Sequence, residues 1–394
     1  MVASATVAIA GGSLGGLTTG LLLRELGFDV TIYERSSVEL EQRGAGIGFL
    51  PDSSRYLVER AGLAIDDIST ATELIRYLNR DGSIQHDLPH EYRFSSWNTV
   101  YRNLLSCFGH DRYLLDHEVT QRSEHDGVVT FTCANGFTGD ADLLVAADGI
   151  GSTFRQQLLP NAKRQYAGYV AWRGMVPESE LDTETLALLS PAITYYVYAN
   201  SHILVYPIPR HDGSIVPGER LINFVWYRNY NAGSDLNDLM TDAAGTGHEI
   251  SLPPGGVRPD HIAEMRAHAE ARLPRVVANA VTAVVQPFLQ VVYDVEIDHM
   301  AFGRTCLVGD AGFVARPHAA AGTAKAAANA WALADALATH DTIPDALADW
   351  EKKQLALGRQ LLERTRRVGA RSQVTNTWDP VDPDNRFRLR EEGP

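Results

Sequence analysis

The sequence predicts an α/β protein of 394 residues: a parallel, doubly wound first domain, an inserted antiparallel β-sheet domain, and helices toward the C-terminus. Three observations predict it. A strand, glycine loop, helix and strand open the chain. Two short apolar strands far downstream each end in an aspartate beside a glycine. The segments between those strands are aromatic and β-branched. The composition permits it, with 45% hydrophobic and 21% charged residues, which excludes a disordered, collagen-like or coiled-coil chain. A net charge of −14 argues against nucleic acid or anionic lipid as partner. Cys107, Cys133 and Cys306 are scattered and odd in number, with no zinc spacing, so no metal site and no disulfide framework is expected. No basic segment precedes the first apolar stretch and no apolar run reaches about 18 residues. The expected location is therefore the cytoplasm, with no membrane partner.

The first element is the run Val7 to Ala10, apolar without alternation, as a buried parallel strand requires. Leu14, Leu17, Leu21, Leu22 and Leu26 then recur at helical spacing, and Gly27 stands where a helix ends in a left-handed residue. Val30 to Tyr33 is the second strand and delivers Glu34. Strands at Asp142–Ala147 and Thr305–Val308 deliver Asp148-Gly149 and Gly309-Asp310 to the carboxyl edge of a sheet, where α/β folds bind ligands. Ile193 to Tyr198, His202 to Pro207 and Leu221 to Tyr227 read as antiparallel strands. Ala324 to Leu337 reads as a helix, and Pro344 as a first-turn residue of the next, which runs through Leu361. The first domain is thus discontinuous, residues 1–72, 97–165 and 294–370 with the C-terminal helices. The β-rich domain takes 73–96 and 166–293. Residues 376–394 are expected to form a poorly ordered polar tail.

The loop GGSLGG, Gly11 to Gly16, is a GxGxxG pattern with Ser13 at its second glycine. Gly11, Ser13, Leu14 and Gly16 are the candidate contacts for a dinucleotide pyrophosphate at the N-terminus of the following helix. Glu34, 18 residues after Gly16, is placed to accept hydrogen bonds from the adenosine ribose and disfavours a 2′-phosphate. The pattern marks a Rossmann-like domain and does not separate NAD from FAD.

The stretches DLLVAADGIGSTFR (142–155) and GRTCLVGDAG (303–312) make that separation. With the glycine loop they stand in the order and spacing of the class A FAD-dependent aromatic hydroxylases, the p-hydroxybenzoate hydroxylase family, which the chain resembles over most of its length. The resemblance implies an FAD-binding domain of glutathione-reductase type, noncovalent FAD, and NAD(P)H as a transient co-substrate. It implies that Asp310 meets the ribityl chain and that Asp148 and Arg155 support the cofactor. It further implies that Arg35, Arg43 and Arg102 turn toward adenosine and phosphates, and that Gly322 and Thr323 bring backbone to the flavin ring. Ala320 and Ala321 depart from the family's usual Gly and Gln, and Asn329 from its Asp. The blocks AGYVAWRG (167–174), YPIP (206–209) and RPHAAAG (316–322) look like those of pyridine-ring hydroxylases within the family.

The resemblance implies a monooxygenase that uses NAD(P)H and O2 to hydroxylate an electron-rich, hydroxypyridine-like ring. His318, after the loop proline Pro317, is a candidate base for a ring hydroxyl, with Tyr206 beside it as a second catalytic candidate. Arg173, Asn223, Tyr227 and Pro317 are candidates for substrate binding. For the strand residues, packing is the competing reading. Alternatives left open are a flavin-dependent epoxidase or other oxidative tailoring enzyme, a non-catalytic flavin redox protein, and an NAD-dependent dehydrogenase. A homodimer also stays open.

Overall fold

A computed structural model describes residues 5–41 and 44–390. Arg43 lies outside them. Thr6–Ala10 is the centre of a six-stranded sheet, pairing in parallel with Asp29–Tyr33 on one side and Leu143–Ala146 on the other. Thr305–Leu307 continues the parallel array beyond Leu143–Ala146, and Ala301–Phe302 closes that edge antiparallel. Each central strand is almost wholly buried, as helices on both faces demand. The helix Leu14–Glu25 packs against the helix Gly322–Thr339, so the two ends of the chain close over one sheet. Strands remote in sequence thereby bring Gly11, Asp148 and Asp310 to a single carboxyl edge.

The second sheet has nine strands, in the order Ser251–Leu252, Phe288–Asp294, Gln165–Pro177, Leu221–Asn229, Ser201–Ile208, Ala192–Tyr198, Thr70–Leu78, Ile84–Ser96 and Gly46–Gly48. One pairing, Ala192–Tyr198 with Thr70–Leu78, is parallel; the rest are antiparallel. Period-two alternation splits the side chains. Trp172, Ile203, Val205, Phe224 and Trp226 pack on one face under the helices Thr183–Leu189, Pro259–Arg272 and Arg275–Ala283. Tyr169, Leu204, Tyr206, Val225 and Tyr227 turn to the other face, toward the Gly322–Thr339 helix and the final helix Ile343–Gln373. That helix starts with Thr342 capping the Asp345 N–H and Pro344 in its first turn.

Three features differ from the sequence expectation. Gly46–Gly48 and Thr70 belong to the nine-stranded sheet, although the sequence puts them in the first domain. A three-stranded sheet, Val119–His125, Val128–Cys133 and Thr138–Ala141, goes unseen in the sequence because its outward face is charged and its strands are short. The segment Thr375 to Arg390 does not form a loose tail. It returns across the sheet with Phe387 and Leu389 buried. Its acids answer the basic face of the final helix: Asp382 and Asp384 pair with Arg371 at 2.9 and 3.3 Å, and Asp384 with Arg367 at 2.8 Å. Arg390 pairs with Asp52 at 3.0 Å. The polar composition that suggested disorder supplies these counter-ions instead.

Candidate active site

A cleft of about 400 Å³ runs from the glycine loop, past Gly309-Asp310 and the loop Pro317–Thr323, to the aromatic face of the nine-stranded sheet. At the sheet edge, Gly11 has φ +106°, and a Cβ there would come within 2.4 Å of the Ala147 carbonyl. Only glycine lets the first and third strands close this tightly. Ser13 stands at the cap of the Leu14–Glu25 helix without a side-chain capping bond, and it lines the cleft with Leu14. Glu34 is buried. Its carboxylate accepts the Gly12 N–H at 2.7 Å and the Ser36 N–H at 2.9 Å, so it holds the loop while each oxygen keeps a further lone pair. Tyr113 closes the loop from the other side, donating to the Gly12 carbonyl at 2.9 Å.

Ser152 caps the helix Thr153–Leu158, and Asp148 supports its start through Oδ2, which accepts the Thr153 N–H at 2.8 Å; its Oδ1 is buried without a partner. Burial raises its pKa. Arg155 is buried and donates to the Asp310 and Ala311 carbonyls at 2.9 and 3.0 Å, joining the two acid-bearing loops. Asp310 lines the cleft with its side chain half exposed, and Lys325 supports it from below, Nζ to Oδ1 at 2.7 Å. Unspent N–H groups at a helix start, an orphan carboxylate oxygen and an open aspartate suit a pyrophosphate joined to a polyhydroxyl chain. The residues present therefore fit FAD.

At the far end, Ala171, Arg173, Tyr195, His202, Leu204, Tyr206, Val225 and Tyr227 form the sheet wall, with Pro317 and His318 opposite. Tyr206 stacks on Phe94, ring centroids 4.1 Å apart. Burial raises its pKa, opposed by Arg173 and Asn223, so its hydroxyl keeps its proton. Arg173 donates to the Gly46 carbonyl at 2.7 Å and to Gln290 at 2.8 Å. His318 meets the Tyr169 hydroxyl through Nε2 at 2.7 Å, while its Nδ1 is buried without a partner. Burial, then His202 and Arg316, holds its pKa well below the ordinary imidazole value.

Of the expected residues, Gly322 and Thr323 line the cleft beside Pro317, at the start of the Gly322–Thr339 helix. Ala320, where the family's glycine is usual, takes the left-handed conformation that glycine would favour, φ +51°. Gly11, Gly16, Glu34, Asp148 and Arg155 are not among the residues that line the cleft, and three further placements differ from expectation. Asn223 is not in the cleft lining; its Oδ1 accepts the Gly46 N–H at 3.0 Å and braces the wall. Arg102 is not in the lining either. It is exposed, pairs with Glu41 at 3.3 Å and donates to the His211 carbonyl. Arg35 is exposed and outside the lining. Asn223 sits on a correctly read strand, Arg102 on the helix Trp97–Phe108 that the sequence reading did not identify, and Arg35 beyond the end of the strand Asp29–Tyr33; their directions depend on contacts that local sequence does not encode. Sequence reasoning missed Lys325, Tyr169 and Gln373, and it missed Trp378 and Phe387, which line the cleft from the returning C-terminal segment. A lysine in an otherwise apolar helix start was the one available signal, at Lys325.

Among the described residues no cluster of three His, Cys, Asp or Glu side chains is placed to hold a metal ion. No described helix is long and apolar enough to cross a membrane.

A family model described as FAD binding domain-like matches residues 166–294. The chain is 33% identical to the 2,6-dihydroxypyridine 3-monooxygenase of Paenarthrobacter nicotinovorans, over 97% of this chain and 95% of that protein. The solved structure of 2,6-dihydroxypyridine-3-hydroxylase from Arthrobacter nicotinovorans superposes with a TM-score of 0.93 at 32% identity, covering 99% of each chain. A Klebsiella pneumoniae protein solved with FAD and uric acid superposes with a TM-score of 0.77 at 21% identity, covering 94% of this chain and 90% of that one, a likeness of fold.

Proposed function

The chain belongs to the class A FAD-dependent aromatic hydroxylases, and from that membership we propose that it hydroxylates an electron-rich hydroxypyridine-like ring at the expense of NAD(P)H and O2. The observation that carries the substrate class is the convergence of Arg173, Tyr206, Tyr227, His202 and His318 on one aromatic-walled cleft opposite the loop Pro317–Thr323. A cleft for a purely hydrocarbon ring has no use for two buried imidazoles and an arginine.

FAD, when bound, supplies the redox chemistry that couples NAD(P)H oxidation to transfer of one oxygen atom to the ring. The glycine loop, Ser13 and Leu14 hold its pyrophosphate, Glu34 offers lone pairs to the adenosine ribose, and Asp310 accepts from the ribityl chain. Arg155 and Lys325 act through Asp310, fixing its backbone and its carboxylate. The Gly322–Thr339 helix starts beside the cleft and favours negative charge there. The aromatic wall excludes water, and Arg173 attracts a ring that carries negative charge. Tyr206, protonated, donates to a ring oxygen. His318 lines the cleft opposite the sheet wall and is the candidate base for a ring hydroxyl, its ring held through Nε2 by the Tyr169 hydroxyl.

The test is NADH and NADPH oxidation by the FAD-loaded protein, with and without 2,6-dihydroxypyridine, other hydroxypyridines and hydroxybenzoates, with product masses. Stimulated oxidation with a hydroxypyridine product that gains one oxygen is expected. Stimulation by hydroxybenzoates alone, or peroxide as the sole product, overturns the reading.

A further inference from the structure

His202 is a buried titratable group to which the reading above gives no step. It lies on the strand Ser201–Ile208, on the same face as Leu204 and Tyr206, and is 1% exposed. Aromatic rings surround it: Tyr227 at 4.7 Å, His318 at 5.3 Å, and Trp378 stacked at 5.2 Å. Its Nδ1 faces the amide nitrogen of Gln373 at 3.1 Å. An amide N–H only donates, so Nδ1 accepts and the proton of the neutral ring sits on Nε2. Gln373 is held in turn, because its backbone carbonyl accepts from the Asn229 side chain at 2.8 Å.

Nε2–H has no acceptor among the described residues, yet it is not sealed in the packing as the His318 Nδ1 is. With Nδ1 accepting from the Gln373 amide, Nε2–H is a donor on a cleft-lining ring that the chain leaves unmatched, set for an acceptor on the ligand. We propose that His202 is a specificity residue: its Nε2–H donates to the ring nitrogen of an N-heteroaromatic substrate bound in its hydroxypyridine (lactim) tautomer, and Gln373 is the positioning residue that keeps the proton on Nε2. This rests on the hydroxypyridine reading and adds to it. It says which side chain tells a pyridine from a benzene ring of the same outline.

The test compares binding of 2,6-dihydroxypyridine and resorcinol (1,3-dihydroxybenzene) to the FAD-loaded protein, read from the change in flavin absorbance without NAD(P)H. The two rings differ at the nitrogen. The wild type should bind dihydroxypyridine more tightly, by about three- to tenfold for one neutral hydrogen bond. His202→Leu should bring the two affinities together by weakening dihydroxypyridine more than resorcinol, with FAD content near wild type. His202→Gln, which keeps a donor near the Nε2 position, should restore part of the preference. Gln373→Leu, which frees the tautomer, should narrow it. Equal weakening of both rings by His202→Leu would make His202 a packing residue and overturn the proposal, as would an unchanged preference. A wild type that hydroxylates resorcinol and dihydroxypyridine alike also overturns it and leaves the hydroxylase reading standing. A wild type that binds neither ring sinks both.

Discussion

The Tyr169 hydroxyl and the His318 Nε2 lie 2.7 Å apart behind the cleft, although 149 residues separate them in the chain. Tyr169 comes from the second strand domain and His318 from the loop before the Gly322–Thr339 helix, so this bond forms only when the two sheets close on each other. Replacing His318 with Ala should keep FAD bound and uncouple the reaction, with NAD(P)H consumed and hydrogen peroxide made. Product should fall by ~10²–10⁴, the range for general acid–base help. Because burial and charge hold the imidazole neutral well below its ordinary value, the wild-type coupling profile should show no limb near pH 6.5 from this residue. Wild-type coupling in the variant at saturating substrate would remove His318 from the chemistry.

Gly369 decides how close that pair sits. A Cβ at this position of the final helix would lie 2.7 Å from His318 Nε2 and 2.7 Å from the Tyr169 hydroxyl. Gly369→Ala gains helix propensity of about 1 kcal/mol but must push both side chains. Coupled product should drop by roughly 10²-fold, as for a displacement of about 1 Å at a reacting group, with FAD occupancy unchanged. Stopped-flow and product assays check it; a fully coupled variant would show that the pair tolerates movement.

Asp310→Ala should weaken FAD binding. Losing a hydrogen bond to a charged group costs about 1.5–3 kcal/mol, or roughly ten- to a hundredfold in affinity. The change also strands Lys325, buried beneath it, without its carboxylate. Flavin fluorescence on dilution measures the loss. Full occupancy on dilution would mean that Asp310 is not the ribityl ligand.

Acid should unfold the protein in a window set by the two cleft imidazoles. Burial lowers His202 to about 3, and His318 is lowered too. Between those values and the unfolded imidazole value of about 6.5, the unfolded chain binds protons that the folded chain refuses. Stability is therefore fully present above about pH 6.5 and falls on acidification, by up to about 1.4 kcal/mol per pH unit for each imidazole. Asp148, raised by burial, works in the opposite direction. Urea midpoints from pH 8 to 5 for wild type and His202→Leu isolate the imidazole contribution. On acidification the wild type should lose stability faster than the variant; parallel curves would contradict a neutral buried His202.

The nucleotide half of this protein was legible in the sequence, because its chemistry is backbone chemistry. Strands that close this tightly need glycine at set positions, as at Gly11, where a Cβ would meet the Ala147 carbonyl. An acid after a strand announces itself locally, as Glu34, Asp148 and Asp310 do. The ring-binding half was legible only as a set of candidate strands. Its wall takes single side chains from strands that are neighbours in space and not in sequence, so Tyr206 and Tyr227 face the cleft while Asn223 braces Gly46. Period-two alternation tells which residues share a face, not which face meets the cofactor domain or which side chain ends beside a partner. Tertiary closure alone decided that Tyr169 and Gln373 would set the two imidazoles, and that the last residues would fold back as a wall. Those contacts depend on desolvation and on counter-ions such as Arg371 and Asp384, which no local stretch of chain contains together.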